Sequence, residues 1–255
     1  MIASLPMYDP APLRAANDAF WGLIRDRLRA KGMAAPDALT RTGELWDHWT
    51  DPGLVLSQTC GFPYRARLHG QVTLVGAPDF GVPDCPPGYY CSVFVVRRDD
   101  PRRRLADFDG AVLAYNDGLS QSGWAAPQTE ARLRGLRFVT GPQTGGHALS
   151  VRAVAAGRAD IAALDVVTWA NLQTFDPVCQ ALLEIDRTQP APVLPYISAR
   201  GADAGMIRAA MSEAIAALPP DTRKMLRLRG IVDLPAERYL GVPIPAAPVH
   251  SGQGD

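Results

Sequence analysis

Short apolar runs alternate with amphipathic stretches along most of this chain, a rhythm that predicts strand–helix units and mostly parallel sheets. Residues 2–7 read as a first strand. Asp9-Pro10 then looks like an N-cap with Pro at the first helical position, and Leu13, Ala16, Phe20, Leu23, Ile24 and Leu28 form one apolar face of a helix that Gly32 ends. Strands are expected at 53–56 and 72–76. The first runs into the polar turn Ser57-Gln58-Thr59-Cys60-Gly61, the second stops before Pro78-Asp79-Phe80-Gly81. A β-branched run at 92–97 predicts a further strand, followed by a charged turn.

The pattern then restarts. A strand at 111–115 leads into the polar loop Asn116-Asp117-Gly118-Leu119-Ser120-Gln121-Ser122-Gly123 and a helix toward Arg134. A strand at 137–140, a loop at 141–146 and a helix at 147–156 closed by Gly157 follow. After a buried strand at 161–164, Asp165 opens the next short helix. Beyond a strand at 182–185, Thr188-Gln189-Pro190-Ala191-Pro192 is stiff and extended, and 193–198 reads as a strand returning to the first half. The expected fold is α/β with two lobes, each a mostly parallel sheet flanked by helices, joined by two hinge strands. Lobe 1 is drawn at 1–94 and 193–242, lobe 2 at 95–192. Ile207, Ala210, Met211, Ala214, Ile215 and Leu218 give lobe 1 another helix face, and 243–255, rich in Pro, Gly and Ser, reads as a flexible tail.

Composition narrows the function. With 255 residues and 47% hydrophobic content the chain can bury one or two cores, so disorder is not its main state. The 26 basic and 26 acidic residues cancel, leaving no overall field to gather nucleic acid or an anionic membrane, so any bound anion must be held locally. The basic run from Arg97 to Arg104 alternates in sign around Pro101 and reads as a solvated turn. No segment approaches the ~20 apolar residues of a bilayer span. The start lacks the basic, apolar and cleavage regions of a secretory signal, which places the chain as written in the cytoplasm, or in the periplasm if a leader precedes it. Cys60, Cys85, Cys91 and Cys179 have neither CxxC nor zinc spacing; Cys60 and Cys85 sit in Gly/Pro-rich loops that could carry a disulfide, though reduced thiols are expected. No metal, P-loop or GxGxxG motif is present, so no cofactor is expected. Gly118-Leu119-Ser120-Gln121-Ser122 approaches the G-x-S-x-G nucleophile elbow, but Ser122 replaces the second Gly and no acid–His order completes it.

Candidate chemistry lies at strand ends that precede helices, where open α/β sheets bind ligands. Ser57, Gln58 and Thr59; Asn116, Ser120, Ser122 and Gly123; and Thr144, Gly145, Gly146 and His147 all fit that position. A helix start offers unpaired N–H groups and partial positive charge, so it can hold phosphate, phosphonate or carboxylate without Lys or Arg. Each loop taken alone could equally be a cap and turn. His147, at a helix start, is expected to be neutral and to donate one N–H. Asp165 could accept a bond from the ligand, cap the next helix, or do both. Tyr8, Phe80, Trp124 and Trp169 could wall a pocket or simply fill the core.

The ordered set Leu56-Ser57-Gln58-Thr59-Cys60-Gly61-Phe62-Pro63, Tyr89 to Arg97, Leu105-Ala106-Asp107-Phe108-Asp109-Gly110, Gly145-Gly146-His147, and Gly157-Arg158-Ala159-Asp160-Ile161 through Asp165 resembles the phosphonate-type substrate-binding proteins of ABC transporters. The resemblance runs from about residue 1 to residue 240. It implies a type II periplasmic-binding-protein fold closing on a small anionic ligand between its lobes, as a monomer that serves an ABC permease. Carried over by position, hydroxyl, imidazole and acidic roles fall on Ser57, Thr59, Ser120, Ser122, His147 and Asp165. The alternative is a cytoplasmic enzyme on the same fold, of the thiamine-pyrimidine or menaquinone-precursor type.

Overall fold

The computed structural model describes residues 1–249. The chain forms two compact units, Met1–Tyr89 with Pro192–Gly241, and Tyr90–Ala191 with residues 242–249. It therefore passes between units three times, not twice, and the boundaries fall a few residues earlier than the pattern suggests.

In the first unit the sheet order is Ile2–Ser4, Leu54–Gln58, Tyr196–Ala199, Val72–Asp79, Gly230–Val232. The first two strands pair in parallel, whereas Tyr196–Ala199 runs against both neighbours and Gly230–Val232 against Val72–Asp79. Two helices cover the sheet. Phe20, Trp21, Ile24 and Leu28 of Arg14–Ala30 meet Ile207, Ala210, Met211, Ala214 and Ile215 of Ala204–Ala217 in one core with Val55, Leu56 and Val75. Each large side chain buried there contributes about 1.5–3 kcal/mol, which is why the helical periodicity was so legible.

Local chemistry moves several boundaries. The first strand stops at Ser4 because Pro6 starts a 3-10 turn, Pro6–Tyr8. Asp9 does not cap the helix; a second turn, Ala11–Leu13, intervenes, and the Asp9 carboxylate instead accepts from Asn17 Nδ2 (2.9 Å) and Arg41 Nε (2.6 Å). Ser57 and Gln58 belong to the strand and not to the turn after it. Val72–Asp79 extends through Pro78, which is tolerated because Ala77, Pro78 and Asp79 pair only with Gly230–Val232, while the other neighbour reaches no further than Gly76. The pattern also missed the helices Leu45–Thr50 and Ala236–Leu240 and the helical stretch Gly61–Pro63 with Tyr64–Leu68.

The second unit has the order Val139–Gln143, Val112–Tyr115, Ile161–Asp165, Ser92–Arg97, Leu182–Arg187. The first three strands are parallel, and Ser92–Arg97 is antiparallel to both of its neighbours. Each parallel strand feeds a helix: a π-turn Gln121–Ala125 continuing as Ala126–Leu133, then His147–Ala155, then Val166–Phe175. The carboxyl ends Tyr115, Gln143 and Asp165 thus lie side by side on one sheet edge. The charged turn after Arg97 is more ordered than its alternating signs suggest: Asp100 is buried, paired by both arms of Arg102, whose guanidinium also reaches Asp160 and stacks 4.1 Å from the Phe108 ring. Residues 243–249 of the expected tail carry neither helix nor strand, yet Ala246 O accepts a hydrogen bond from Trp124 Nε1 at 3.0 Å; residues 250–255 lie outside the described residues.

Candidate functional site

On the second unit, the two loops that follow adjacent parallel strands are tied to each other. Gly145 N donates to Asn116 O (2.9 Å) and Thr144 N to Tyr115 O (2.8 Å). Thr144 Oγ1 lies 3.1 Å from both Tyr115 O and Gly146 O and 2.7 Å from Ser150 Oγ. A hydroxyl has one hydrogen, so Thr144 serves one carbonyl and takes its other bond from Ser150. It pins the loop in place.

The first loop turns into its helix at Ser120, whose Oγ accepts from Gly123 N at 3.0 Å and caps the turn. That leaves the Ser120 hydrogen for another acceptor. Gly123 has to be glycine, since a Cβ there would collide with Asn116 Oδ1. Trp124 is buried with its ring 4.9 Å from that of Tyr115. The Tyr115 hydroxyl is held above its ordinary pKa by burial and by the nearby Asp117.

The two loops meet in one contact that joins expected site residues directly: Ser122 Oγ lies 2.8 Å from His147 Nε2. His147 is only half-buried as a residue, yet its Nδ1 is closed to solvent and has no hydrogen-bond partner. Burial pulls its pKa down to about 4, so the ring is neutral near pH 7, with either Nε2–H donating to Ser122 or the serine donating to a bare Nε2. Gly146 supplies no side-chain cap to this helix. Asn116 Oδ1 is a second buried polar atom without a partner. Such atoms are uncommon and mark places where a ligand or water completes the bonding.

Asp165 ends the third strand. Its Oδ1 accepts from Val167 N (2.8 Å) and Thr168 N (2.9 Å), the N-cap alternative of the sequence-based expectation. Trp169 is core, its Nε1 donating to Glu184 at 3.1 Å.

On the first unit the expected residues sort differently. Ser57 is fully buried and its Oγ pairs with Ser4 Oγ across adjacent strands at 2.8 Å. Gln58 Nε2 donates to Leu194 O (3.1 Å), and Thr59 N donates to Pro195 O (3.0 Å). Tyr8 and Phe80 meet edge to face at 5.2 Å. Together with Gln58, Asn17, Phe20 and Tyr196 they line a pocket of about 20 Å³, room for roughly one water. Ser4, Asn17, Tyr196 and Ser150 were not anticipated. Ser4 could have been found, because it ends a strand just as Ser57 nears the end of its own, and Ser150 follows His147 by one helical turn.

The fold is thus α/β in two units, each assembled from two stretches of the chain, with polar, helix-starting loops at the carboxyl ends of parallel strands. Solved structures agree on the fold. XAC2383 from Xanthomonas citri, solved bound to chloride, superposes with a TM-score of 0.69 at 17% identity, covering 94% of each chain. PhnD1 from Prochlorococcus marinus in complex with methylphosphonate gives 0.69 at 15% identity, over 93% of this chain and 94% of that one. A binding-protein component of an ABC phosphonate transporter from Pseudomonas aeruginosa gives 0.58 at 14%, over 89% and 84%. These are type II periplasmic binding proteins.

The model of the family of periplasmic phosphonate substrate-binding proteins of ABC transporters matches residues 64–234, and the chain belongs to that family. The family is a substrate-binding component of transporters and not an enzyme, so the enzyme alternative finds no support. It is also periplasmic, and the cytoplasmic expectation finds none either. Among the described residues no helix is long and apolar enough to cross a membrane. No curated protein matches the chain.

Proposed function

We propose that this chain binds a small tetrahedral oxyanion, a phosphonate or phosphate, and delivers it to an ABC-type permease. The observation that carries this reading is the 2.8 Å contact of Ser122 Oγ with His147 Nε2 between the two loops, beside Ser120, whose cap with Gly123 N leaves its own hydrogen to donate. No Lys or Arg stands in either loop, so the anion is held by neutral donors and the start of the His147–Ala155 helix. In the tautomer with Nε2–H, His147 donates to Ser122 Oγ and frees the serine hydrogen for the anion. His147 Nδ1 is then a bare acceptor. A singly protonated phosphonate or phosphate has an O–H to give such an acceptor; sulfate near neutral pH has none.

Methylphosphonate, the ligand of the Prochlorococcus protein, is the natural first probe. Titration calorimetry and thermal shift with methylphosphonate, phosphate and sulfate test the reading. At 100 times its dissociation constant a true ligand raises stability by about 2.7 kcal/mol. Binding of phosphate or methylphosphonate with sulfate rejected is the expected result; no response to any of the three sinks it.

A further inference from the structure

The segment after Gly241 touches the same loop at both ends. Ala246 O takes the Trp124 indole hydrogen at 3.0 Å. Two residues later Pro248 covers Gly118, where an added Cβ would stand 3.0 and 3.1 Å from the proline ring atoms. Between these points lie Ser120 and Ser122. Before these contacts the segment forms one wall of a groove of about 460 Å³, with Pro243 and Pro245 on its side and Gln128, Arg132 and Arg137 among the other lining residues.

The sequence suits this task. Pro243, Pro245 and Pro248 fix much of the backbone before docking, so little conformational entropy is lost on contact. An extended, proline-rich segment also lacks some of its N–H groups and turns carbonyls outward, which is what a buried indole donor requires.

We infer that residues 242–249 form a strap that positions Trp124, and through it the oxyanion loop, so that strap docking and ligand binding are coupled. The inference rests on the site reading above. Trp124 is a positioning residue here: it packs on Tyr115, whose carbonyl in turn holds Thr144 of the facing loop. A docked strap restricts the loop before the anion arrives, and by linkage a bound anion must tighten the strap by the same factor.

The test compares the intact chain, a chain ended after Gly241, and Trp124→Phe, which keeps a ring against Tyr115 and removes only the indole donor. Calorimetry with phosphate and methylphosphonate reads affinity; cleavage by elastase after Ala246, followed by mass spectrometry, reads strap release in the intact chain with and without methylphosphonate. The expected result is about three- to tenfold weaker binding in both variants and cleavage slowed by a similar factor when ligand is present. Protection of the strap by ligand is an effect that general destabilisation in the variants would not produce. A probe that binds the intact chain, with unchanged affinity after truncation and unchanged cleavage, overturns the strap and leaves the site standing. If neither probe binds the intact chain, the site reading fails and the coupling falls with it.

Discussion

Ser122 Oγ and His147 Nε2 are 2.8 Å apart although the residues stand 25 positions apart in the chain, each in the first turn of its own helix. The pair has the look of a serine–histidine dyad, but the far nitrogen, Nδ1, meets no acid and no other partner. Without an orienting group the imidazole is not held in the tautomer that nucleophilic catalysis needs. The same contact joins the starts of two helices and, with His147 Nε2–H donating, frees the Ser122 hydrogen for another acceptor.

The buried imidazole makes stability depend on pH. Its folded pKa of about 4 lies below the unfolded value near 6.5, so the unfolded chain binds the extra proton between those limits. The contribution is complete above pH 6.5 and is lost as pH falls toward 4, by at most about 3 kcal/mol. Urea unfolding of the wild type and of His147→Gln at pH 7.5 and pH 4.5 is expected to show a smaller acid loss in the variant. A His147 ring resonance titrating near 6.5 in NMR would remove the argument.

Gly123→Ala forces its new methyl group onto Asn116 Oδ1. Overpacking of this kind costs about 1–3 kcal/mol. If the collision is the cause, Asn116→Ala in the same chain recovers most of the loss, and the double-mutant cycle shows a coupling well above 0.5 kcal/mol. Additive losses would place the cause elsewhere.

Asp165 separates a cap from a ligand contact. Asp165→Ala removes the acceptor for Val167 N and Thr168 N and is expected to lower stability by about 1–2 kcal/mol, whereas Asp165→Asn, still able to cap, should change it little. Anion affinity measured on Asp165→Asn then isolates any contact with ligand. A stability loss as large in Asn as in Ala would contradict the cap.

For the oxyanion itself, Ser122→Ala is expected to weaken methylphosphonate by about 1–3 kcal/mol, the worth of a charge-assisted bond. Ser57→Ala removes a buried partner of Ser4 and should show mainly as lower thermal stability. Calorimetry beside melting curves distinguishes the two, and equal affinity in Ser122→Ala and wild type would exclude Ser122 from the site.

Much of the fold could be read from side-chain periodicity because burial dominates it. Ser92–Arg97 was placed to the residue, and the starts at His147 and Asp165 followed from chemistry within one turn of sequence. What escaped depended on partners distant in the chain. Pro78 argues against a strand until Gly230–Val232 is seen to be its only neighbour there. Gly141 and Gln143 look like loop, yet they extend an edge strand beside Val112–Tyr115. At the site, the hydroxyls and His147 were visible as residue types. Their pairing was not, nor was the role of Trp124, because its partner is the carbonyl of Ala246, in a proline-rich stretch that composition alone marks as loose.

The strand Tyr196–Ala199 sits between Leu54–Gln58 and Val72–Asp79, and hydrogen-bonds to both. Those two strands do not pair with each other, so residues 1–89 cannot close their own sheet. They must wait for more than a hundred further residues to be synthesised before the missing ladder and its covering helix arrive. The ladder that completes this unit therefore joins stretches far apart in the chain, the kind of pairing that forms slowly because its loop-closure entropy is lost before its contacts are gained.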